Sequence, residues 1–274
     1  MEATSIKRIE ITGLWGWKNI AWNLRPDVNI LSGINGVGKS TILNVVVHCL
    51  GHGAHQSGDY EADGVKVRLL FEPENAIGIR YDVVRSFDRP FLRTDVMERL
   101  SDKNVHTDLD WQLYQLQRRY LDYQVNIGNR MIALLTSGNE QDKAQAGNVA
   151  KAKARFQDMV DELFSETGKH IDRQSNEIRL LQGNEALPPY KLSSGEKQML
   201  VILLTALVQD NAACILFMDE PEVSLHIEWQ QKLISLIREL NPHAQIILTT
   251  HSPAVIMNGW LDAVTEVSDI STTH

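Results

Sequence analysis

The sequence predicts an α/β fold from three patterns. A glycine-rich turn follows an apolar strand and opens a helix, a long polar stretch with helical periodicity comes next, and two apolar runs typical of buried parallel strands follow. The chain has 274 residues, enough for one large domain or two lobes with a sizeable core. Its content of 43% hydrophobic and 23% charged residues is typical of a soluble globular protein.

The N-terminal part shows mostly strand patterns. IKRIEIT has period two, and VKVRLLFEP and AIGIRYDVVRSF have the pattern of antiparallel strands separated by turn residues at Pro73 and Asn75. Between them, DVNILSGINGVGKSTILNVVVHCLG predicts a short strand, a glycine loop and a helix. We therefore expect a β-rich N-terminal lobe over residues 1–94.

The middle of the chain, residues 95–167, has a helical and polar pattern. WQLYQLQRRYLDYQVNIGNRMIALL and KAKARFQDMVDELF have helical periodicity, and the polar stretch SGNEQDKAQAGN separates them. We expect a helical hairpin inserted between two α/β lobes. The C-terminal lobe, residues 168–274, contains ACILFMDE and QIILTTH, which predict parallel strands buried on both faces.

Charge and cysteine usage restrict the function classes. The formal net charge of -8 argues against a surface that coats nucleic acid, although a local basic patch is compatible with it. Cys49 and Cys214 lie in apolar runs, as expected of reduced core thiols. The charged N-terminus has no apolar signal segment, and no stretch has the length and hydrophobicity of a membrane span. We expect a cytoplasmic protein without membrane contact.

The strongest motif is GINGVGKST, which matches the phosphate-binding pattern G-x-x-x-x-G-K-[ST] between a predicted strand and a predicted helix. Its glycines let backbone N–H groups surround phosphates, Lys39 reaches the β- and γ-phosphates, and Ser40 places a hydroxyl on Mg²⁺. A merely flexible glycine turn would not require Lys39 and Ser40. The loop residues expected to bind nucleotide are Gly33, Asn35, Gly36, Gly38, Lys39, Ser40 and Thr41.

Two further apolar strands end in chemically active side chains. Asp219 closes ILFMD, where a carboxylate is costly unless it faces a cation such as the Mg²⁺ held by Ser40. Glu220 follows and is suited to orient and deprotonate an attacking water, although Asp, Glu and Pro also simply end strands in turns. His251 follows the second strand and would emerge at the same sheet edge, as a sensor of the γ-phosphate or as an ordinary surface residue.

The fragment LSSGEKQ allows two interpretations. Ser193, Ser194 and Gly195 precede the apolar run MLVILLTAL, so they could form an anion site at a helix N-terminus. A serine followed by Glu196 is also a common helix cap. Alone, the fragment favours the cap. Together with the phosphate loop and the strand-end carboxylates, it favours a phosphate site.

These motifs resemble those of the ABC-type ATPases in order and spacing over most of the chain. GINGVGKST is similar to their Walker A motif, LSSGEKQ to the signature, ILFMDE to Walker B, EVSLH to the D-loop and His251 to the switch histidine. Asn35, DEPEVSLH and THSP favour the SMC, RecF and OLD-like branch. The resemblance implies an ABC-type P-loop nucleotide-binding domain with a mixed β sheet, a β-rich N-terminal lobe and a helical insertion.

In that family two nucleotide-binding domains enclose two ATP molecules, and the signature of one protomer contacts the γ-phosphate bound by the other. The resemblance therefore implies a homodimer that hydrolyses ATP with Mg²⁺. The implied catalytic residues are Lys39, Glu220 and His251, the Mg²⁺ residues are Ser40 and Asp219, and the signature residues at the nucleotide are Ser193, Ser194, Gly195 and Glu196.

The insertion, about seventy residues long, is too short for the sustained heptads of SMC arms. We also expect no TOPRIM nuclease domain of the OLD type after His251. We therefore expect a separate effector subunit, a nuclease or a toxin, with DNA or RNA as a further candidate ligand and anti-phage defence or DNA processing as the context. The alternatives are the ATP-binding subunit of a membrane transporter and a low-turnover ATP-bound scaffold that cages a toxic partner.

Several residue groups leave alternatives open. HCLGHGAH has metal-binding residue types, but its glycines favour a helix end. Trp15 and Trp17 either stack on an adenine or pack in the β-rich lobe. The insertion's basic and aromatic residues either contact another protein or DNA, or form a solvated face with the aromatic rings inward; they are Tyr114, Gln117, Arg118, Arg119, Tyr120, Tyr123 and Arg130. The glutamine of the family's glutamine loop stays open among Gln112, Gln115, Gln117 and Gln124.

Overall fold

The computed structural model describes residues 1–62, 64–86 and 105–273. The chain divides into two compact units. Unit 1 contains Met1–Ser86, Asn211–Arg238 and Pro242–His274, and unit 2 contains Phe87–Asp210 and Glu239–Asn241. The expected division into residues 1–94, 95–167 and 168–274 stays a prediction.

The described residues form fifteen strands and eight α-helices. Up to residue 85 they are, in chain order, β1 (Glu2–Ala3), β2 (Ser5–Leu14), β3 (Lys18–Asn23), β4 (Val28–Ser32), α1 (Lys39–Gly51), β5 (Gly58–Ala62), β6 (Val65–Glu72), β7 (Gly78–Ile79) and β8 (Tyr81–Arg85). From residue 105 they are α2 (Asp108–Thr136), α3 (Glu140–Val149), α4 (Lys151–Phe164), β9 (Lys169–Ile171), β10 (Leu180–Gln182), β11 (Glu185–Leu187), α5 (Ser194–Val208), β12 (Cys214–Asp219), α6 (Ile227–Leu240), β13 (Ala244–Thr249), α7 (Pro253–Met257), β14 (Val264–Glu266), α8 (Val267–Ile270) and β15 (Ser271–Thr273).

A five-stranded parallel sheet forms the centre of unit 1, in the order β14-β4-β13-β12-β8. All six residues of β13 are buried, as are the first five of β12. The burial follows from mostly apolar sequences, as expected of strands covered on both faces. The buried Gln245 amide is hydrogen-bonded to the backbone of Ile6 and Arg25. The prediction of buried parallel strands from ACILFMDE and QIILTTH is confirmed.

A second, antiparallel five-stranded sheet has the order β15-β3-β2-β6-β5. It confirms the antiparallel arrangement expected of VKVRLLFEP, which contains β6. The same expectation for AIGIRYDVVRSF is wrong, because β8 pairs in parallel with β12, with Tyr81 opposite Ile215. The turn at Pro73 and Asn75 marks a chain reversal, but it does not specify which sheet receives the next strand. The α/β fold class is confirmed, but the parallel and antiparallel strands of the described residues lie in separate sheets and not in the mixed sheet that the resemblance implied.

Helix α1 shares one hydrophobic core with both five-stranded sheets of unit 1. Its buried residues include Ile42, Val46 and Leu50, which belong to the same cluster of buried residues as Phe71 of β6 and Phe217 of β12. Burying a side chain of this size typically stabilises a fold by about 1.5–3 kcal/mol. The core therefore fixes α1, and with it the glycine loop that precedes the helix.

Both cysteines are buried thiols outside any disulfide of the described residues. Cys49 is 3% exposed and Cys214 is 1% exposed, in agreement with the prediction of core thiols.

Unit 2 contains the predicted helical insertion, and three helices of it lie in the described residues. Helix α2 begins with a capping box between Thr107 and Asp110. The stretch SGNEQDKAQAGN, expected to separate two helices, itself contains α3. The Asn139 side chain caps α3 by accepting a hydrogen bond from the Gln141 N–H. The cap stabilises a helix that gains little from burial, since Ala146 is its buried residue. Residues 95–104 of the expected insertion lie outside the described residues.

The longest described helix, α2, has 29 residues. Within 1–62, 64–86 and 105–273, neither it nor any other helix combines the length and the hydrophobicity needed to cross a membrane.

Candidate functional site

The predicted site residues of unit 1 meet at one edge of the parallel sheet. The strands β4, β13 and β12 are neighbours and run in the same direction, so the loops after them emerge together. These loops carry the phosphate-loop motif, the Asp219–Glu220 pair and His251. The three inner strands of the sheet therefore supply the site.

The glycine loop turns into α1 at Gly38, whose φ of 107° lies in the left-handed region. A Cβ at this position would lie 2.5 Å from the Trp15 ring, so close approach as well as backbone conformation requires glycine at residue 38. The Lys18 ammonium donates to the Val37 carbonyl at 3.0 Å. The loop is thus held between α1 and residues of the β2–β3 turn.

Lys39 is only 4% exposed, and its ammonium lies at the centre of the site. It donates to the Gly33 carbonyl at 3.0 Å and lies 2.5 Å from Nε2 of His251. The same Nε2 also lies 3.1 Å from Glu220 Oε1, so whether it accepts or donates depends on the tautomer of the ring. This geometry links the phosphate loop directly to the predicted switch histidine.

Burial lowers the pKa of Lys39, because removal from water disfavours the charged ammonium. The negative charges of Glu220, Asp219 and Glu222 act in the opposite direction. The site therefore combines a partly desolvated cation with three carboxylates, as expected of a functional site more than of a simple core.

Ser40 and Asp219 are joined by a hydrogen bond, in which the Ser40 hydroxyl donates to Asp219 Oδ1 at 2.9 Å. The Thr249 hydroxyl donates to the same oxygen at 2.5 Å. A hydroxyl and a carboxylate side by side are the oxygen ligands that Mg²⁺ prefers. The donor set fits the metal expected from the sequence.

Glu220 has an unusual backbone conformation for a residue with a side chain, with φ of 47°. Its N–H donates to the carbonyl and to the hydroxyl of Thr249, at 3.1 and 3.0 Å. Its carboxylate Oε1 lies 3.1 Å from His251 Nε2. Left-handed conformations of such residues concentrate at functional sites, where the surroundings hold them in place. The strain supports a functional role for Glu220.

Four residues of this site were missed by the sequence predictions: Glu222, Gln230, Thr249 and Thr250. Glu222 and Thr250 are buried and hydrogen-bonded to each other, and Thr249 holds both Asp219 and Glu220. The signals available in the sequence were the second glutamate of DEPE and the two hydroxyls that precede His251.

The signature fragment lies in unit 2, at the start of α5. The Ser193 hydroxyl accepts from the Glu196 N–H at 3.3 Å, and Glu196 Oε2 accepts from the Ser193 N–H at 3.0 Å. The helix-cap interpretation is therefore confirmed as local structure. Ser193 and Ser194 are exposed and Gly195 is partly exposed, so a cap and an anion site at this turn are compatible.

Glu196 itself is only 3% exposed and its carboxylate is fully engaged. The Lys169 ammonium lies 2.8 Å from Oε1, and the Thr167 hydroxyl donates to that oxygen at 3.0 Å. Burial opposes ionisation, but the hydrogen bonds from Lys169, Ser193 and Thr167 hold the Glu196 pKa below its ordinary value. Glu196 is thus placed to hold the exposed turn, and it does not itself face solvent.

A second buried ion pair lies next to the first. The Lys197 ammonium is 2.8 Å from Asp110 Oδ1, and both side chains are less than a tenth exposed. Asp110 is the capping residue in the first turn of α2. The start of α5 is thereby tied to the start of α2, which makes the signature turn a rigid part of unit 2.

The structure decides part of what the sequence left open. In the insertion, Tyr120 and Tyr123 are buried, so the inward packing of these aromatic rings is confirmed. Arg130 pairs with Asp210, and Arg118 lies over the Tyr114 ring at 4.9 Å. Arg118 and Arg130 lie at the surface, so contact of these residues with another protein or DNA stays a prediction.

Two of the four candidate glutamines bind backbone within unit 2. Gln117 exchanges two hydrogen bonds with the backbone of Ile178, and Gln124 donates to the carbonyl of Asn176. Neither contact identifies the glutamine loop, and the choice among the four stays open.

The histidine-rich segment ends α1, which finishes at Gly51. His52 stacks on His48 with ring centroids 4.1 Å apart, and its Nδ1 lies 2.9 Å from the His48 carbonyl. The helix-end interpretation is confirmed. Trp15 and Trp17 are each about half exposed, with ring centroids 6.1 Å apart, and adenine stacking stays a prediction.

The fold and the cluster together define a class of protein. A parallel sheet whose phosphate loop places a lysine and a hydroxyl beside a strand-end Asp-Glu pair is the arrangement of P-loop ATPases. Residues 75–258 match the profile of a family described as AAA domain, putative AbiEii toxin, Type IV TA system. The match takes in more than half of the chain, and the chain belongs to this family of ATPases.

Individual proteins and structures are similar to the chain at low identity. It is 24% identical over 302 residues to the Septu protein PtuA of Bacillus thuringiensis, which covers 92% of this chain and 72% of that protein. It is 29% identical over 108 residues to the Retron Vc95 probable ATPase of Vibrio cholerae serotype O1 biovar El Tor, over 35% of this chain and 20% of that protein. The structure of an SMC head bound to the C-winged helix domain of ScpA matches with a TM-score of 0.49 and 16% identity, over 92% of this chain and 91% of that chain.

The buried pair at the signature turn predicts a pH-dependent contribution to stability. The folded-state pKa of Glu196 lies below its ordinary value of 4.5, so the pair stabilises the fold above that pH and loses its contribution as pH falls through the folded-state pKa. Glu196→Gln should lower the free energy of unfolding at neutral pH by roughly 3 kcal/mol, because it leaves Lys169 without its counter-charge. Urea unfolding of the parent and of Glu196→Gln, from neutral pH to below 4.5, measures the difference in their free energies of unfolding. This difference should become smaller in acid.

Glu140→Gln is the matched control, since Glu140 pairs with Lys143 while its side chain is 87% exposed. It should change the free energy of unfolding by less than about 1 kcal/mol. Equal losses in the two variants, or a loss in Glu196→Gln that does not change with pH, would contradict the role of the buried pair.

Proposed function

We propose that this chain binds ATP and hydrolyses it with Mg²⁺, and that two copies dimerise around the nucleotide. The observation that carries the proposal is a cluster of five side chains at one sheet edge, in which His251 contacts Lys39 and Glu220, and Ser40 contacts Asp219. Each side chain has a chemical role in phosphoryl transfer to water.

In this proposal the backbone N–H groups of the phosphate loop surround the phosphates, and Lys39 binds the β- and γ-phosphates. Glu220 takes the proton of the attacking water, and the His251 ring orients the γ-phosphate. The loop residues assigned to the nucleotide are Gly33, Asn35, Gly36, Gly38, Lys39, Ser40 and Thr41.

Ser40 and Asp219 would hold Mg²⁺, since their oxygens already lie 2.9 Å apart. The bound ion would neutralise charge on the phosphate oxygens. Thr249 keeps Asp219 in place through its hydroxyl, and the same threonine fixes the backbone of Glu220.

The signature turn would serve the nucleotide of the second copy. Ser193, Ser194 and Gly195 present hydroxyls and helix N-terminal N–H groups, which suit a phosphate. Their rigid attachment through Glu196 supports this role, because a donor that is already in position loses little entropy on binding. The family resemblance supplies the expectation that the contact is made between protomers.

We further propose that ATP turnover drives or gates a separate effector subunit, a nuclease or a toxin, in anti-phage defence or DNA processing. The helical insertion is the proposed contact surface for that subunit or for DNA or RNA. Helix α2 supports this, since four of its large apolar side chains are exposed: Leu121, Val125, Ile132 and Leu135. The cytoplasmic location stays a prediction, and a low-turnover scaffold would use the same residues.

The chemistry is tested by two substitutions. Glu220→Gln keeps the shape of the side chain but removes the base, so it should bind ATP, stabilise the dimer and lower the hydrolysis rate by roughly 10²- to 10⁴-fold. Lys39→Ala should lose ATP binding. Phosphate release and fluorescent-ATP binding measure the two effects, with the exposed Glu228→Gln as the matched control. Hydrolysis at the parent rate by Glu220→Gln would show that another group is the base.

The contact between protomers is tested by mixing two inactive variants, Lys39→Ala and Ser194→Arg. In a mixed dimer, one site carries both defects while the other has an intact phosphate loop and an intact signature. Random exchange makes about half of the dimers mixed, so ATPase activity should recover to at most about a quarter of the parent value. Each variant alone should be nearly inactive.

If the two mixed variants stay inactive although their subunits exchange, mixing Lys39→Ala with the parent protein separates two explanations, strictly coupled sites and a signature that acts within its own chain. Strictly coupled sites would lose activity in every mixed dimer, whereas a site contained within one chain would leave each parent protomer active. Parental activity of Ser194→Arg alone would reduce LSSGEKQ to a helix cap.

A further inference from the structure

The loop after β12 and the loop after β13 are joined by the buried side chain of Glu222. Glu222 is 6% exposed, and its Oε1 accepts hydrogen bonds from the Thr250 hydroxyl and from the His251 N–H, the latter at 3.0 Å. Thr250 is fully buried. One carboxylate oxygen therefore holds two consecutive residues, the second of which is the predicted switch histidine.

Gln230, in the first turn of α6, connects the same two loops. Its amide nitrogen donates to the carbonyls of Glu222 and Leu225 at 3.3 and 2.8 Å. Its amide oxygen accepts from the Ser252 hydroxyl at 2.6 Å. The loop after β13 is thus held on both sides of His251, by Glu222 and by Gln230.

The other oxygen of Glu222 is buried without a hydrogen-bond partner among the described residues. A buried unsatisfied polar atom typically costs about 1–3 kcal/mol. The position therefore costs stability that only the contacts of Oε1 offset, and those contacts lie in the loop that carries His251.

We propose that Glu222 and Thr250 form a positioning pair that holds the imidazole of His251 between the Lys39 ammonium and the Glu220 carboxylate. The proposal rests on the proposed ATP hydrolysis and assigns two residues to it that do not themselves contact the nucleotide. Glu222 acts by fixing the backbone at residues 250 and 251, so Nε2 of the His251 ring lies 2.5 Å from the Lys39 ammonium and 3.1 Å from Glu220 Oε1.

Paired substitutions at each residue either remove or keep the hydrogen bonds of the positioning pair. Thr250→Val keeps the size of the side chain but removes the donated hydrogen bond, whereas Thr250→Ser keeps the hydroxyl. Glu222→Ala removes the acceptor, whereas Glu222→Gln keeps an oxygen that can accept both bonds. The exposed Glu228→Ala on the following helix is the matched control for loss of a carboxylate.

Steady-state ATPase kinetics and ATP binding separate positioning from binding. A displacement of about 1 Å in a catalytic group can lower a rate by 10²-fold, so Glu222→Ala and Thr250→Val should lower kcat on the order of 10²-fold. The Kd for ATP should stay within about threefold, since Lys39 and the phosphate loop remain in place. Thr250→Ser and Glu222→Gln should recover most of the lost kcat.

A second background tests whether Glu222 acts through His251. In His251→Ala, the additional substitution Glu222→Ala should lower kcat by less than about threefold, because the ring to be positioned is absent. Amide hydrogen exchange gives a readout without turnover: the His251 N–H, protected by Glu222, should exchange faster in Glu222→Ala and at the parent rate in Glu228→Ala.

The proposal fails if the loss in Glu222→Ala persists in full in the His251→Ala background, or if ATP affinity falls in parallel with kcat. It also fails if His251 exchange is unchanged in Glu222→Ala. An inactive parent protein would refute the proposed hydrolysis, but the exchange measurement would still decide whether Glu222 holds His251.

Discussion

The burial of the Lys39 ammonium is the constraint on which the rest of the site depends. A cation removed from water needs acceptors and compensating charge, and Lys39 has the Gly33 carbonyl, the His251 ring and three nearby carboxylates. These groups come from loops distant in sequence, and the order β4-β13-β12 in the parallel sheet places the loops side by side. Each strand that leads into the site is an inner strand of this sheet, and its residues are almost all buried.

Both units use a buried acid to hold a short turn in place. In unit 1, Glu222 holds the backbone at His251, and in unit 2, Glu196 holds the signature turn through Ser193 and pairs with Lys169. In each case the acid is almost inaccessible while the residue that it supports is partly or fully exposed. Such an arrangement fixes donors before a ligand arrives, which is the physical requirement for electrostatic stabilisation of phosphoryl transfer.

The sequence was sufficient where the signal is local. The strand, glycine loop and helix around GINGVGKST, and the strands ending at Asp219 and Thr249, follow from apolar runs and turn residues that lie within a few positions. It failed where distant residues decide: β8 joins β12 across more than a hundred residues, and Glu222 meets Thr250 across 28 positions. Helix α3 was missed because a polar sequence that buries little has weak helical periodicity, although its cap and composition still allow a helix.

The central claim is that the oxygens of Ser40 and Asp219 bind Mg²⁺ together with ATP beside Lys39. Calorimetric titration of ATP into the parent protein and into Asp219→Asn, each with Mg²⁺ and with a chelator, tests it most directly. The account predicts that removing Mg²⁺ weakens ATP binding to the parent by about tenfold or more, equivalent to about 1.4 kcal/mol, and that Asp219→Asn loses most of this dependence. Equal dependence on Mg²⁺ in the two proteins would contradict the assignment of Asp219.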